Sequence, residues 1–305
     1  MLKQYNLTDN KICEDKNDSC PIRLYINPTE DEKKYLIEHY LIDDHTLASA
    51  LDPDELSRVD IEPIHVALIY KRPKNYSAKD QLLFKTHTIG LFYFKDFLII
   101  VMNDDVNLFE GKQFNKVMSI NELVLKLIYR AIFHFLDHLK VMNMISNELE
   151  MKINKAMENR YLLNMFTLEK SLVYYLNAIN SNGVLIEKFK LNASKFSLSV
   201  EEIELLDDII IENNQCYKQA EIYSNILASL MDARASIVSN NLNILIKILN
   251  IITIGIMVPT LIVSIFSMNV KLPLWQEHPL AFWFILGLSG FSAFIVFFVW
   301  RALKL

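Results

Sequence analysis

The chain has 305 residues, is 52% hydrophobic and 22% charged, and carries a formal net charge of −5 with a pI near 5.8. A mean hydropathy of +0.19 suits a soluble part joined to a few membrane spans and excludes a many-span protein, while the acidic balance disfavours a nucleic-acid partner. Three cysteines (Cys13, Cys20, Cys216) exclude a disulfide framework, and with 6 glycines and no nucleophile–base pair there is neither a phosphate loop nor an enzyme to expect.

Residues 1–20 read as an irregular polar lead-in with no apolar h-region, so no signal peptide and a cytoplasmic start are expected. Ile22 to Ile26 alternates as a strand does. Thr29 is placed to cap a helix over Glu30 to Tyr40. A second helical stretch covers Asp43 to Asp60, interrupted at Asp52-Pro53, with Pro53 suited to open a new helix. His65 to Lys71 is strand-like, Leu82 to Phe94 forms one strand or two, and Phe97 to Met102 follows a tight hairpin at Lys95-Asp96. Residues 1–118 therefore read as a cytoplasmic α/β domain.

From Ser119 the pattern turns helical. Ser119 with Glu122 spells a capping box, opening a helix to about Lys155. Another runs from Asn159 to Asn180, where Ser181-Asn182-Gly183 reads as a stop. This is a helical hairpin region, 119–198. Ser199 with Glu202 spells a second capping box, and no proline follows until Pro259 and no glycine until Gly255. One helix is expected from Val200 to Phe266, about 100 Å long, with a cytoplasmic stalk over 199–247. Such a stalk cannot bury its apolar stripe alone, which argues for bundling with copies of itself.

A first membrane span is placed at 248–268, charge-free from Ile248 to Phe266. Asn243, Asn250, Thr253, Thr260, Ser264 and Ser267 recur at gaps of 7, 3, 7, 4 and 3, so they share one helical face. In lipid such a face turns toward a water-filled pore or toward another helix. A loop over 269–279 leads to a second span, 280–300, in which Gly287, Ser289 and Gly290 suit close packing, and a tail over 301–305. Lys247, Arg301 and Lys304 follow the positive-inside rule, with Lys271 against it, so both termini are expected in the cytoplasm of a two-span cell-membrane protein. Trp275, Trp283 and Trp300 fall near the two interfaces. His134 and His138 sit four apart on a helix, a zinc-pair spacing without a third ligand, and read first as a polar helix face.

The segment PTLIVSIFSMNVKLPL, followed by HPLAFW, resembles the membrane end of the CorA family of divalent-cation channels, most closely its Gram-positive branch. The family's mouth signature is Gly-Met-Asn after Tyr; here Phe266, Ser267, Met268 and Asn269 stand in that place. The resemblance implies a homopentameric funnel whose first span lines a pore with Asn269, Met268 and Ser267 at the mouth, then Thr260, Met257, Leu249 and Asn243. It implies Mg²⁺ as cargo, with Co²⁺ or Ni²⁺ also passing, and no other cofactor. It further implies cytoplasmic Mg²⁺ sensing at Asp208, beside Asp207. The region matching the family's partner acid, Tyr70 to Lys74, is basic, which leaves Asp80, Asp104 or Asp105 for that role. Glu277 and His278 in the outer loop either attract cations or are plain loop residues. Two other readings stay open: a zinc transporter of the ZntB type, and a non-conducting membrane-anchored sensor. In the latter Ser267 marks a degenerated filter, since Gly would permit a positive-φ turn there.

Overall fold

The computed structural model describes residues 1–15, 20–77, 80–155, 159–269 and 280–303. It divides into two compact units, Met1–Ser229 and Leu230–Leu305.

The first unit begins with a hairpin where an irregular lead-in was expected. Strands β1 (Leu2–Thr8) and β2 (Lys11–Glu14) pair antiparallel, Thr8 opposite Lys11. The turn residues Asp9 and Asn10 have φ of 52° and 60°, the double left-handed geometry of a two-residue hairpin turn that Asp and Asn tolerate. None of its residues is buried, so no apolar alternation marks it in the sequence.

Strand β3 (Ile22–Ile26) leads to α1 (Glu30–Tyr40). Thr29 caps α1 as expected: its Oγ1 accepts from Glu32 N at 3.3 Å, and Glu32 Oε2 accepts from Thr29 N at 2.9 Å. Helix α2 (Asp44–Leu51) is capped by Asp43, whose Oδ2 accepts from Thr46 N at 2.9 Å. Pro53 opens no helix, contrary to expectation. Asp52 is extended (φ −87°, ψ 116°), as a residue before proline is, and the chain turns into strand β4 (Arg58–Ile61). Strands β5 (Val66–Pro73), β6 (Thr86–Tyr93) and β7 (Leu98–Met102) follow, so Leu82 to Phe94 holds one strand and not two. Phe94 N donates to Phe97 O at 2.9 Å across the expected Lys95-Asp96 hairpin.

The seven strands form one sheet in the order β2-β1-β3-β7-β6-β5-β4, parallel only between β3 and β7. Helices α1 and α2 and the link between them cover one face through Leu36, Ile42, Leu47 and Ala50, packed on Ile69, Phe92, Ile99 and Val101. A Cβ at Gly90 would lie 2.4 Å from Ala50 Cβ, so glycine there lets α2 settle onto β6. Burial on both faces explains the unbroken apolar runs of β5, β6 and β7.

The other face carries α3 (Ile120–Lys155) and α4 (Asn159–Leu191), both in contact with β5. Helix α4 does not stop at Ser181-Asn182-Gly183 but continues to Leu191. The triplet serves packing instead. Asn182 is buried, takes Lys71 N on its Oδ1 at 2.9 Å, and gives its Nδ2 to Lys71 O at 2.8 Å. Strand β4 pairs with β5 only as far as Arg58 opposite Ile69, so Asn182 supplies Lys71 with the edge partner β4 no longer offers. A Cβ at Gly183 would fall 2.8 Å from Asn213 Nδ2 on the next helix.

Helix α5 runs unbroken from Val200 to Phe266, as expected. Its N-terminal part buries Glu202, Leu206, Ile209, Asn213, Cys216 and Ala220, steps of 4, 3, 4, 3 and 4 that keep one face covered. Its N-terminal capping box is joined to the N-cap of α3. Glu202 N donates to Ser199 Oγ at 3.2 Å and Ser199 N donates to Glu202 Oε2 at 2.9 Å, while Ser119 Oγ, which caps α3, donates to Glu202 Oε1. Helix α6 (Ala281–Leu303) completes the second unit.

Candidate functional site

Among the described residues two helices, Val200–Phe266 and Ala281–Ala302, contain windows long and apolar enough to cross a membrane. In the second unit each helix has one covered side. On α5 it comprises Ile251, Gly255, Val258, Pro259, Ile262 and Phe266, all half-buried; on α6 it comprises Ala281, Ile285, Ser289, Ser292, Ala293, Val296 and Trp300, of which Ser292 is buried and the others half-buried.

The polar residues of α5 lie on its bare side. Asn243, Asn250, Thr253, Thr260, Ser264 and Ser267 are all exposed, and at about 100° per residue their centre stands about 180° from the centre of the covered stripe. Leu249 (63% exposed) and Met257 (62%) fall on the same bare side. The expected pore residues within α5 are thus brought to one side of one helix, directed away from the side this chain covers itself. Met268 and Asn269 follow the helix end and are exposed. Glu277 lies outside the described residues, as do Lys271, Trp275, His278 and Lys304.

The two threonine hydroxyls on this side are satisfied within the helix. Thr253 Oγ1 donates to Leu249 O at 2.8 Å, and Thr260 Oγ1 donates to Ile256 O at 2.7 Å. Each threonine oxygen therefore keeps its lone pairs as acceptors. Pro259 sits inside the helix without breaking it, removing the N–H that would otherwise reach Gly255 O. At the helix end Ser267 N is shared between Val263 O (3.1 Å) and Ser264 O (3.2 Å). Ser267 has no positive φ, so glycine's conformational freedom is not required at this position.

The bare polar side continues further than the expected residues. Asp232, Ser236 and Ser239 precede Asn243 at steps of 4, 3 and 4, and all are exposed. The spacing that reveals them is present in the sequence, but it lies outside the apolar span, where a polar helix face needs no pore to explain it.

The acids expected to sense metal are not brought together. Asp207 Oδ1 lies 2.6 Å from Lys190 Nζ, and Asp208 is exposed beside it. Asp80 accepts from Ser77 N and Oγ at 2.8 and 2.7 Å, Asp105 pairs with Lys3 at 2.9 Å, and Asp104 takes Arg72 Nη2 at 2.9 Å and His87 Nδ1 at 2.7 Å. The hydrogen bond and charge of His87, then Arg72, hold the Asp104 carboxyl below the usual carboxylate range. Among the described residues no three His, Cys, Asp or Glu side chains form a metal-sized group. His134 meets His138 edge-on within an aromatic cluster, and His138 stacks on Tyr175, its Nδ1 lying 2.7 Å from Tyr175 Oη. Burial, then His138, Arg72 and Arg130, push the His134 pKa down to about 4, so the ring is neutral at pH 7.

A family model described as "CorA-like Mg2+ transporter protein" matches residues 24–301. The chain is 23% identical over 293 residues to the cobalt/magnesium transport protein CorA of Methanocaldococcus jannaschii, covering 90% of this chain and 88% of that protein. The complete structure of that magnesium transporter superposes with a TM-score of 0.77 at 21% identity, over 98% of this chain and 96% of that one. The cytoplasmic domain of ZntB from Vibrio parahaemolyticus gives a TM-score of 0.60 at 12% identity, over 78% of this chain and 98% of that one.

Proposed function

This chain belongs to the CorA-like Mg²⁺ transporter protein family, a family of transporters and not of enzymes, and on that premise we propose that it is a channel for hydrated Mg²⁺ whose wall is the bare polar side of α5. The observation that carries this reading is the opposition of the two stripes on α5: the polar side is the one the chain leaves uncovered. Copies arranged with that side inward, as a homopentamer, would enclose it. The stalk supports self-assembly, because Ile203, Ile211, Ile222 and Ile226 remain exposed on α5.

Mg²⁺ dehydrates reluctantly, so a pore that passes it meets its bound waters, which offer only hydrogen-bond donors. Asn269 carbonyl oxygens at the mouth and the Thr260 lone pairs would accept from them. Met257 and Leu249 would form apolar constrictions, which close by dewetting. Asn243 would form an inner polar ring, and Asp232 would place carboxylates below it. Two charges crossing a potential of about 100 mV, negative inside, gain roughly 4.6 kcal/mol, so no chemical energy source is required. Co²⁺ and Ni²⁺ share the size and hydration that this scheme requires and are proposed as further cargo.

The basic residues Lys247 and Arg301 support a cell-membrane orientation with both termini in the cytoplasm. Asp208, exposed beside the paired Asp207, is proposed as the residue through which intracellular Mg²⁺ favours closure. Reconstitution in liposomes with an imposed potential tests the function. Influx of Mg²⁺ exceeding that of Zn²⁺ is expected; influx of Zn²⁺ alone would favour the ZntB-type reading, and influx of neither ion would refute conduction.

A further inference from the structure

The first unit contains a cavity of about 510 Å³ between the end of β5, the N-terminal half of α3 and the segment 105–113. That volume is in the range of small-molecule sites. Its lining includes two arginines from different elements, Arg72 on β5 and Arg130 on α3, together with Tyr70 and His134.

Arg72 is 6% exposed. Its Nη2 binds Asp104 at 2.9 Å and its Nη1 donates to Pro73 O at 3.0 Å, but its buried Nε has no hydrogen-bond partner among the described residues. A buried guanidinium N–H left without an acceptor is costly, and a ligand oxygen would relieve it. Arg130 donates to Leu108 O at 3.3 Å and lies over the Phe114 ring, which uses few of its five N–H donors. Both guanidiniums line this one cavity; burial, and then Arg130, disfavours the charge of Arg72, while burial, then His138 and both arginines, disfavours a proton on His134.

The acids on the lining are engaged. Asp105 pairs with Lys3 at 2.9 Å, Asp137 pairs with Lys140 at 3.1 Å, and Glu110 accepts from Asn107 Nδ2 at 2.9 Å and is engaged, through its charge, by Arg130. All three sit on the rim: the Asp105 and Asp137 side chains are 62% and 69% exposed, and Glu110 is exposed. The floor is left with arginines, a tyrosine and a neutral imidazole.

We propose that this cavity binds a small phosphoryl-bearing anion, a phosphate monoester or pyrophosphate, gripped between Arg72 and Arg130. Arg72, its charge already met by Asp104, offers its unpartnered Nε–H, and Arg130 offers the unused donors of its fork; the several oxygens of a phosphoryl group can accept from both at once, which suits them better than a single carboxylate. Such a ligand would tie segment 105–113 to α3. This site is separate from the pore reading and stands or falls without it.

The test uses the full chain in detergent micelles, in buffer stripped of divalent cations at constant ionic strength, titrated with pyrophosphate and separately with acetate by calorimetry. Saturable pyrophosphate binding is expected, with acetate binding at least about tenfold weaker. Arg130→Gln should weaken pyrophosphate by about tenfold or more, as loss of a charge-assisted hydrogen bond does. Phe133→Glu, which places a negative charge on the exposed rim without touching either arginine's partners, should weaken it as well. No saturable binding by the unaltered chain, acetate binding as tightly, or undiminished binding by both variants would overturn the proposal.

Discussion

The side chain of Asn182, inside a helix, pairs with both backbone groups of Lys71, on a strand, at 2.9 and 2.8 Å. It does the work of a neighbouring strand at the point where β4 has ended. Asn182→Ala would leave the Lys71 N–H and C=O buried without partners. The expected cost is about 2–4 kcal/mol, read by denaturant unfolding of the full chain in micelles. A loss below about 0.5 kcal/mol would show that water or a shifted β4 replaces the amide.

Gly183, the next residue, faces Asn213 on α5. In an exposed helix Gly→Ala gains about 1 kcal/mol. Here the new methyl would stand 2.8 Å from Asn213 Nδ2, a group that also donates to Ile179 O at 3.2 Å. Gly183→Ala is therefore expected to lower the melting temperature, and Gly183→Ala with Asn213→Ala to recover part of the loss. Equal losses in the single and double variants would show that the contact is not the cause.

These two positions show where sequence reasoning lost the fold. Asn-Gly after a helical run is the pattern of a helix end, and only the tertiary partners Lys71 and Asn213 reveal that both residues are there for packing. The N-terminal hairpin was hidden for a related reason: Leu2–Thr8 and Lys11–Glu14 bury no residue, so period-two patterning never appears. By contrast α5 was legible end to end, because Ser199 and Glu202 mark its start and nothing interrupts it before Gly255. The polar stripe was legible from spacing. That it lies opposite the chain's own covered side was not, since the covered side is set by packing. Asp232 carries the same spacing but lies in the charged stalk beyond the apolar run, where a polar residue is ordinary on a solvated helix face.

The buried histidines make stability fall on mild acidification. His134 has its pKa pushed down to about 4 from an ordinary 6.5, first by burial and then by His138, Arg72 and Arg130. Its folded value is below its unfolded one, so the unfolded chain takes up the proton first. The contribution is full above about pH 6.5 and declines as pH falls toward 4. His65 and His138, also lowered by burial, act in the same direction. Allowing for solvent screening, the His134 part is on the order of 2 kcal/mol. Melting of the full chain from pH 7.5 to 4 should show the decline, and His134→Gln should flatten it; an unchanged slope would exclude His134 as a source.

Ser267 occupies the position where the family pattern has glycine, yet its backbone has no positive φ. Ser267→Gly is therefore expected to leave Mg²⁺ flux in liposomes unchanged within error. A large gain in flux would instead identify Ser267 as the mark of a degenerated filter and favour the sensor reading.

The central claim is that hydrated Mg²⁺ enters past Asn269 and along the bare polar side of α5. Potential-driven Mg²⁺ influx into liposomes, compared between the unaltered chain and Asn269→Ala at equal protein incorporation, tests it most directly. The account predicts that the substitution abolishes most of the flux while leaving the assembly intact by size-exclusion. Flux that Asn269→Ala leaves unaltered would contradict it.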